Sequence, residues 1–238
     1  MITIIDAQQR YHNNYGWNET YRLFPSASIH ELGNTNFGNT LIFNEYMFQP
    51  KFGYDMHPHQ NLEQIFIVME GELTHHDSLE NSLVLKKNHV QRITAGSGYA
   101  RSIYNKGTRL ARYIGAWLIP KTQNTHPAHD VREYDPQLWH NALYPVASDL
   151  RHGDNAGPPP ITINAAATLY RAAIDNAELS FPVAANEKAL LYIVEGELDC
   201  NGTVLKAGFH VRVAGNESLR LRSDTKAECV LVHMRTEM

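Results

Sequence analysis

Two histidines separated by a single residue are the feature of this sequence with the clearest chemical potential. The segment reads His57-Pro58-His59, and Glu63 follows four residues after the second histidine. In an extended chain, residues two apart point to the same side, so both imidazoles can face one point. Neutral imidazole is a good ligand for Zn, Cu, Fe or Ni. The spacing therefore makes His57 and His59 candidate metal ligands.

The same pair also has an explanation that needs no ligand. The chain contains 13 histidines, so a pair at this spacing arises readily by chance. His75 and His76 alternate across a candidate strand, so at most one of them can face an interior. His126 and His129 lie in a Pro-rich segment, where we expect them to be solvated. A satisfied polar cluster remains the alternative to a metal site.

Short apolar runs rich in Ile, Val, Tyr and Phe recur along the chain between turn residues. Runs of this length and spacing are typical of strands in sandwiches or barrels. In the first half the candidate strands are Thr40 to Phe48, Gln64 to Met69, Glu72 to His76, Val84 to Leu85, His89 to Thr94, Ala100 to Tyr104 and Leu110 to Ile119. In the second half they are Ile161 to Ile174, Glu178 to Phe181, Ala189 to Val194, Glu197 to Cys200, Thr203 to Leu205, His210 to Val213, Leu219 to Arg222 and Val230 to His233.

A repeated motif divides the chain into two similar halves. An apolar strand followed by Glu-Gly-Glu-Leu ends at Leu73 and again at Leu198, which supports a duplication. Asn201-Gly202 between two candidate strands predicts a type I′ hairpin. We predict an all-β protein with two tandem jelly-roll-like β-barrels, in residues 1–120 and 161–238. Residues 121–160 are predicted to be an irregular Pro-rich connection.

Composition and charge exclude some functional classes. The net charge is −4 without a basic cluster, so direct nucleic-acid binding is not expected. No apolar run is long enough to span a membrane, and no secretory signal is visible at the N-terminus. Cys200 and Cys229 are expected to be buried, reduced thiols. These features favour a cytoplasmic protein.

Several blocks of the sequence resemble the pirin-like family. They are His57 to Glu63, Glu70-Gly71-Glu72, His75 to Ser78, Val90 to Gly98, which ends in Ala-Gly-x-Gly, and the earlier Tyr21 to Ser26 and Leu41 to Phe48. The resemblance is strongest over about residues 15 to 120 and implies a bicupin fold, two cupin barrels in tandem. It also implies a divalent transition metal, commonly iron, held in the first barrel by three His and one Glu. Some members have quercetin 2,3-dioxygenase activity, and the eukaryotic namesake is a nuclear transcription cofactor.

The sequence departs from this family at half of the implied metal shell. His57 and His59 match the first two ligands, but Arg101 and Ile103 occupy the positions of the remaining His and Glu. Arginine offers no lone pair, and Fe(II) usually needs a carboxylate. We therefore expect no family-type metal. The alternative is a weakly bound Fe, Ni, Zn or Cu ion, with Glu63, Gln91 or His75 moving into the shell.

Arg101 suggests a different chemistry. Its guanidinium can bind a carboxylate or another anion, with His57 and His59 as hydrogen-bonding partners. That anion is either Glu63, which would make a purely structural pair, or an acidic ligand. We expect a small-molecule-binding or regulatory cupin that takes a small aromatic or anionic ligand at Arg101, Glu63 and Gln91. The alternative is a metal-dependent enzyme that resembles quercetin 2,3-dioxygenase.

Aromatic residues and one methionine are expected to fill the first barrel or to line its mouth, where they would suit a flat ligand. They are Tyr46, Phe48, Phe52, Tyr54, Met56, Phe66 and Tyr99. The second half lacks a histidine pair at the matching place, so its barrel is expected to be structural. Whether the protein also binds a protein partner is left open by the sequence.

Overall fold

Strands form nearly all the regular structure of the computed structural model, which describes residues 1–24, 36–150 and 157–235. Two short 3-10 helices, Ala7–Gln9 and Pro136–Trp139, complete the regular elements of these residues. The strands are β1 (Ile2–Ile5), β2 (Tyr11–Asn14), β3 (Asn18–Arg22), β4 (Thr40–Phe48), β5 (Gly53–His59), β6 (Glu63–Glu70), β7 (Glu72–Asp77), β8 (Ser82–Lys86), β9 (His89–Thr94), β10 (Tyr99–Tyr104), β11 (Ala111–Leu118), β12 (Ala128–Glu133), β13 (Tyr144–Ser148), β14 (Ile161–Thr162), β15 (Ala167–Val183), β16 (Glu187–Glu195), β17 (Glu197–Cys200), β18 (Thr203–Lys206), β19 (His210–Ala214) and β20 (Glu217–Arg235). Pro25 and Ser26 of the sequence block Tyr21 to Ser26 lie outside the described residues.

The chain folds into two compact β-units, as the repeat predicted. The N-terminal unit contains residues 10–134 and 163–165, and the C-terminal unit contains residues 1–9, 135–162 and 166–238. Both units are cupin-like barrels without a described α-helix, so the predicted all-β bicupin fold is confirmed.

The predicted boundaries and the irregular connection need correction. Residues 121–160 are not a separate linker, because β12 joins the N-terminal unit and β13 joins the C-terminal unit. β12 pairs with β9 in an unbroken antiparallel register from Ala128↔Thr94 to Glu133↔His89. These strands were not predicted because the segment is rich in proline, which usually interrupts strands. Pro145 is nevertheless tolerated in β13, where it lies beside an irregularity in the pairing with β15.

Two sheets enclose the core of the N-terminal unit. One has the strand order β12-β9-β6-β11-β4-β3-β2, and the other has the order β5-β10-β7-β8. Apolar side chains from both sheets meet in one cluster, for example Phe66 of β6, Leu73 of β7 and Ile103 of β10. The alternation of each strand therefore aims every second side chain into the same interior.

The C-terminal unit is built on two long paired strands. β15 and β20 pair from Ala167↔Met234 to Val183↔Glu217, with an irregularity after Asp175. Cys200 and Cys229 are free and buried in the core of this unit, as predicted. Burial raises the pKa of Cys200 to about 11 and that of Cys229 to about 12, so both thiols stay protonated at neutral pH.

Both copies of the Glu-Gly-Glu-Leu motif place glycine in the same backbone conformation. Gly71 has φ +69° and Gly196 has φ +78°, in the left-handed region that favours glycine. A Cβ on Gly71 would lie 2.3 Å from the Leu110 carbonyl oxygen, and one on Gly196 would lie 2.3 Å from that of Lys226. The predicted hairpin is also present, because β17 and β18 join through Asn201 and Gly202, both at positive φ.

Helices capable of crossing a lipid bilayer are absent from the part of the chain that the structure describes.

Candidate functional site

His57 and Arg101 lie opposite each other on neighbouring strands of the N-terminal unit. In the pairing of β5 with β10, Arg101 is opposite His57 and Tyr99 is opposite His59. Between Arg101 and Ile103 the register shifts, so that Ile103 is opposite Tyr54. Three steps of β5 therefore match two steps of β10. This bulge lets Tyr54 and His57, which strict alternation would separate, face the same cavity.

The two imidazoles of the His57-Pro58-His59 segment are adjacent, as their spacing predicted. Their ring centroids are 4.7 Å apart and the planes meet at 74°. His57 Nδ1 lies 2.6 Å from the carbonyl oxygen of Asp55, which can only accept, so this nitrogen carries the proton. His59 Nε2 is buried without a hydrogen-bond partner. His57 lines the cavity described below, whereas His59 is not among the residues of its wall.

Arg101 is a buried cation in the wall of the cavity. Arg101 is only 3% exposed, and its Nε donates a hydrogen bond to Gln64 Oε1 at 3.1 Å. The guanidinium carbon lies 4.5 Å from the centroid of the Phe66 ring. Nη1 is buried without a hydrogen-bond partner. Within residues 1–24, 36–150 and 157–235, no carboxylate forms an ion pair with this guanidinium.

Glu63 does not neutralise Arg101, so the internal pair considered from the sequence is not formed. Glu63 is fully buried, and its Oε1 accepts a hydrogen bond from the backbone N–H of Asn164 at 3.0 Å. Burial raises the pKa of its carboxyl group. Gln91 is also fully buried, with neither amide atom hydrogen bonded, and it is not in the cavity wall. Of the three predicted ligand-binding residues, only Arg101 lines the cavity.

A cavity of about 430 Å³ opens between the two sheets at this place. Its wall contains His57, Arg101 and mostly aromatic side chains. The latter are Tyr46, Tyr54, Phe66, Tyr113 and Trp117, joined by Met56 and Asp55 at the entrance. Tyr46 stacks on Tyr113 with ring centroids 4.8 Å apart. The volume and lining are typical of a small-molecule site. Of the residues predicted to fill the barrel or line its mouth, Phe48, Phe52 and Tyr99 lie outside the cavity wall.

Burial and the charge of Arg101 keep the neighbouring imidazoles neutral. Burial is the main cause that lowers the pKa of His59 to about 3, and Arg101 and His57 lower it further. Burial also lowers the pKa of His57, and Arg101 adds to the effect against the hydrogen bond to Asp55. Burial raises the pKa of Tyr46 to about 12, so its phenol remains protonated. The guanidinium of Arg101 therefore brings a positive charge to the aromatic wall of the cavity, where it lies against Phe66.

The comparisons with known proteins agree with this fold. Residues 6–118 match the family model described as pirin, and residues 151–234 match the model described as quercetinase C-terminal cupin domain. The chain belongs to the pirin-like bicupin family. A pirin-like protein of Caulobacter vibrioides is 26% identical over 220 residues, which cover 92% of this chain and 93% of the relative.

Two further relatives of this pirin-like chain come from Escherichia coli. The quercetin 2,3-dioxygenase of strain K12 is 24% identical over 233 residues, which cover 97% of both chains. The crystal structure of bacterial pirin YhhW in complex with nickel(II) has a TM-score of 0.88 and 22% identity, and the match covers 100% of both chains. At this identity the structural likeness shows the fold alone.

The residues of this pirin-like chain do not fit the metal that the family implies. The side chains of His57 and His59 offer two nitrogens. The neighbouring strand β10 carries the buried residues Arg101 and Ile103 at the other two positions, and neither side chain has a lone pair that could bind a metal. Among the described residues, no three His, Cys, Asp or Glu side chains converge on one point. A divalent ion beside the buried guanidinium would also be repelled. The donor set therefore suits an anion better than a cation.

The positions of two residues in this region were not predicted from the sequence. Gln64 holds Arg101 in place, and its inward direction follows from the alternation Gln64, Phe66, Val68 along β6. His129 was expected to be solvated, but it lies in β12 with its ring 5.5 Å from that of His75. β12 was not predicted as a strand because it lies in a Pro-rich segment. His75 is buried and His76 is partly exposed, as alternation across β7 predicted.

The neutral imidazoles predict a pH dependence of stability. His59 has a folded pKa of about 3 and His75 of about 4, both below the ordinary value of 6.5, because burial penalises the charged form. The unfolded chain therefore binds protons more readily below pH 6.5. We expect the free energy of unfolding to be highest above that pH and to fall as the pH drops towards 4. Urea denaturation at pH 7.5 and pH 5.5 measures this difference.

The variant His59→Gln removes one of these groups and tests the assignment. Its loss of stability between pH 7.5 and pH 5.5 should be smaller than that of the wild type by roughly 1 kcal/mol. The partly exposed His76 provides the control, and His76→Gln should leave the difference unchanged. An equal pH dependence in wild type and His59→Gln would contradict the depressed pKa of His59.

Proposed function

We propose that this pirin-like protein binds a small aromatic carboxylate at Arg101 without a family-type metal. The observation that carries the proposal is the buried guanidinium, which has an unpartnered Nη1 and no carboxylate partner among the residues that the structure describes. A buried charge is costly unless a counter-charge or hydrogen bonds compensate it. An anionic ligand supplies both.

The surroundings of Arg101 support a ligand with a flat ring. Gln64 accepts from Nε and Phe66 lies against the guanidinium plane, so the side chain is held in one orientation. The remaining donors of an arginine fork match the two oxygens of a carboxylate. Tyr46, Tyr113 and Trp117 present aromatic surface in the same cavity, whose volume of about 430 Å³ admits a substituted benzene ring.

Isothermal titration calorimetry with benzoate and benzamide tests the proposal. The two probes have similar shapes and differ in charge, so the wild type should prefer benzoate. In Arg101→Gln the affinity for benzoate should fall about 30-fold, because the ligand loses a charge-assisted hydrogen bond in a buried site. The affinity for benzamide should change little.

The control variant is Arg109→Gln, which makes the same chemical change at an exposed arginine of the same unit. It should bind benzoate as the wild type does. Equal binding of benzoate and benzamide by the wild type, or undiminished benzoate affinity in Arg101→Gln, would contradict the proposal.

A second candidate function is metal-dependent oxygenation of an aromatic substrate. The retained and adjacent His57 and His59 favour it, together with the relative named quercetin 2,3-dioxygenase. Incubation of the wild type with Fe²⁺, Ni²⁺, Cu²⁺ or Mn²⁺, followed by absorbance of added quercetin, distinguishes the two. Metal-dependent consumption of quercetin would favour the oxygenase, and our proposal expects none.

A further inference from the structure

A second set of buried polar groups lies in the interior of the N-terminal unit. His75 Nε2 is 3.1 Å from Asp77 Oδ2 and 3.0 Å from the Tyr99 hydroxyl, which itself donates to Asp77 Oδ2 at 2.5 Å. The side chains of His75 and Asp77 are fully buried. The ring of His129 stacks on that of His75. None of these residues belongs to the wall of the aromatic cavity.

Asp77 fixes which nitrogen of His75 carries the proton. Burial raises the pKa of Asp77, but hydrogen bonds from Tyr99, Asn81 and His75 outweigh it and hold the pKa below its usual range. Asp77 is therefore an ionised acceptor, and His75 Nε2 must donate to it. The imidazole is neutral because burial lowers its pKa to about 4. Nδ1 of His75 is consequently a bare acceptor.

That acceptor has no partner in the structure. Nδ1 of His75 is buried without a hydrogen bond, and the same holds for Nε2 of His129 and for both amide atoms of Gln91. Native proteins satisfy nearly all buried polar atoms with protein, water or ligand. Several unpartnered atoms on neighbouring side chains therefore indicate that another molecule forms hydrogen bonds with them.

The strand registers show that these groups and Arg101 surround the same interior. Arg101 is opposite Asp77, and Ile103 is opposite His75, so Arg101 and His75 are diagonal neighbours on the inner face of one sheet. On the facing sheet Gln91 is opposite Phe66, whose ring lies against the Arg101 guanidinium. We call His75, Gln91, Arg101 and His129 the inner polar cluster.

We propose that the ligand carries a hydroxyl group as well as a carboxylate, and that His75 Nδ1 accepts the hydrogen bond of this hydroxyl. This inference rests on the proposed function, since Arg101 is taken to hold the carboxylate. Arg101 offers donors and His75 offers an acceptor, so the inner polar cluster complements a hydroxy acid. Asp77 and Tyr99 are positioning residues, because they hold His75 in the accepting tautomer.

Titration calorimetry with benzoate and its 2-, 3- and 4-hydroxy derivatives tests this specificity. At least one hydroxybenzoate should bind the wild type about tenfold more tightly than benzoate, because an unsatisfied buried acceptor gains its partner. In His75→Gln this advantage should disappear, so that the hydroxybenzoate binds this variant no more tightly than benzoate does. Gln retains a donor towards Asp77 but offers nothing at the place of Nδ1.

The matched control is His76→Gln, which alters the neighbouring and outward-facing histidine of β7. It should keep the preference for the hydroxybenzoate. The ¹⁵N resonance of His75 Nδ1 in the wild type gives a second readout that needs no variant. It should shift when the preferred hydroxybenzoate is added and stay in place with benzoate.

The outcomes separate this inference from the proposal on which it rests. Binding of benzoate without preference for any hydroxybenzoate, or a preference that survives in His75→Gln, would overturn the role of His75 and leave the Arg101 site standing. Failure of all four carboxylates to bind would overturn both.

Discussion

Ni²⁺ should bind the double variant Arg101→His with Ile103→Glu about two orders of magnitude more tightly than it binds the wild type. The change replaces a buried guanidinium by a third imidazole and adds a carboxylate at a position that is fully buried in the same interior. These are the two positions at which the family resemblance places His and Glu. Titration calorimetry gives the affinity, and the melting temperature should rise with Ni²⁺ in the double variant alone.

The two single variants serve as controls for this gain. Ile103→Glu alone puts a carboxylate next to Arg101, where an internal ion pair should form and Ni²⁺ should not bind. Arg101→Leu removes the repulsion but adds no ligand, so its affinity for Ni²⁺ should stay far below that of the double variant. Stoichiometric and tight Ni²⁺ binding by the wild type would refute the interpretation of Arg101 as a replacement for the metal.

Replacing the turn glycine of either Glu-Gly-Glu-Leu motif by alanine should cost about 3 kcal/mol of stability. Gly71 and Gly196 both have positive φ, which alone penalises alanine by about 1 kcal/mol. In addition, the new Cβ would meet a backbone carbonyl oxygen at 2.3 Å in each unit, so the adjoining strand must move. Chemical denaturation of Gly71→Ala and Gly196→Ala measures the loss.

Two other glycines isolate the contribution of the close contact. Gly16 in the N-terminal unit and Gly202 in the C-terminal unit also have positive φ, but a Cβ there would meet no atom within 4 Å. Gly16→Ala and Gly202→Ala should therefore cost only about 1 kcal/mol. If all four variants lost the same stability, the close approach of the neighbouring strand would not matter.

The fold was predictable because its physical causes are local. Two-residue alternation and turn residues mark most strands, and the repeated motif at Leu73 and Leu198 reveals the duplication. The prediction was wrong where prolines dominate the composition. β12 has no fully buried residue and pairs at a sheet edge, so it lacks the strongly apolar pattern of an inner strand.

The site was predictable only as far as single residue types allow. The sequence indicates that His57 and His59 are adjacent and that Arg101 disturbs a metal shell. It does not indicate that Glu63 accepts a hydrogen bond from Asn164, which lies 101 residues further along the chain. The bulge that brings Tyr54 and His57 to one cavity also depends on the pairing of two strands. Such contacts are set by register, which the sequence of one strand does not reveal.

Each unit is built from segments that are far apart in the sequence, which has a consequence for how the chain folds as it is synthesised. β1 is synthesised long before its partner β19, which begins at His210, so the two strands can pair only after about two hundred further residues have been made. Similarly, Glu63 obtains its hydrogen bond only after Asn164 has been made. Once residues 1–134 have been made, most of the N-terminal unit is present, but β1 of the C-terminal unit lacks its partner strand and Glu63 lacks the hydrogen bond from Asn164. Completion of both units is a late event, and a fragment cut at residue 134 should be less stable than the same unit in the full chain.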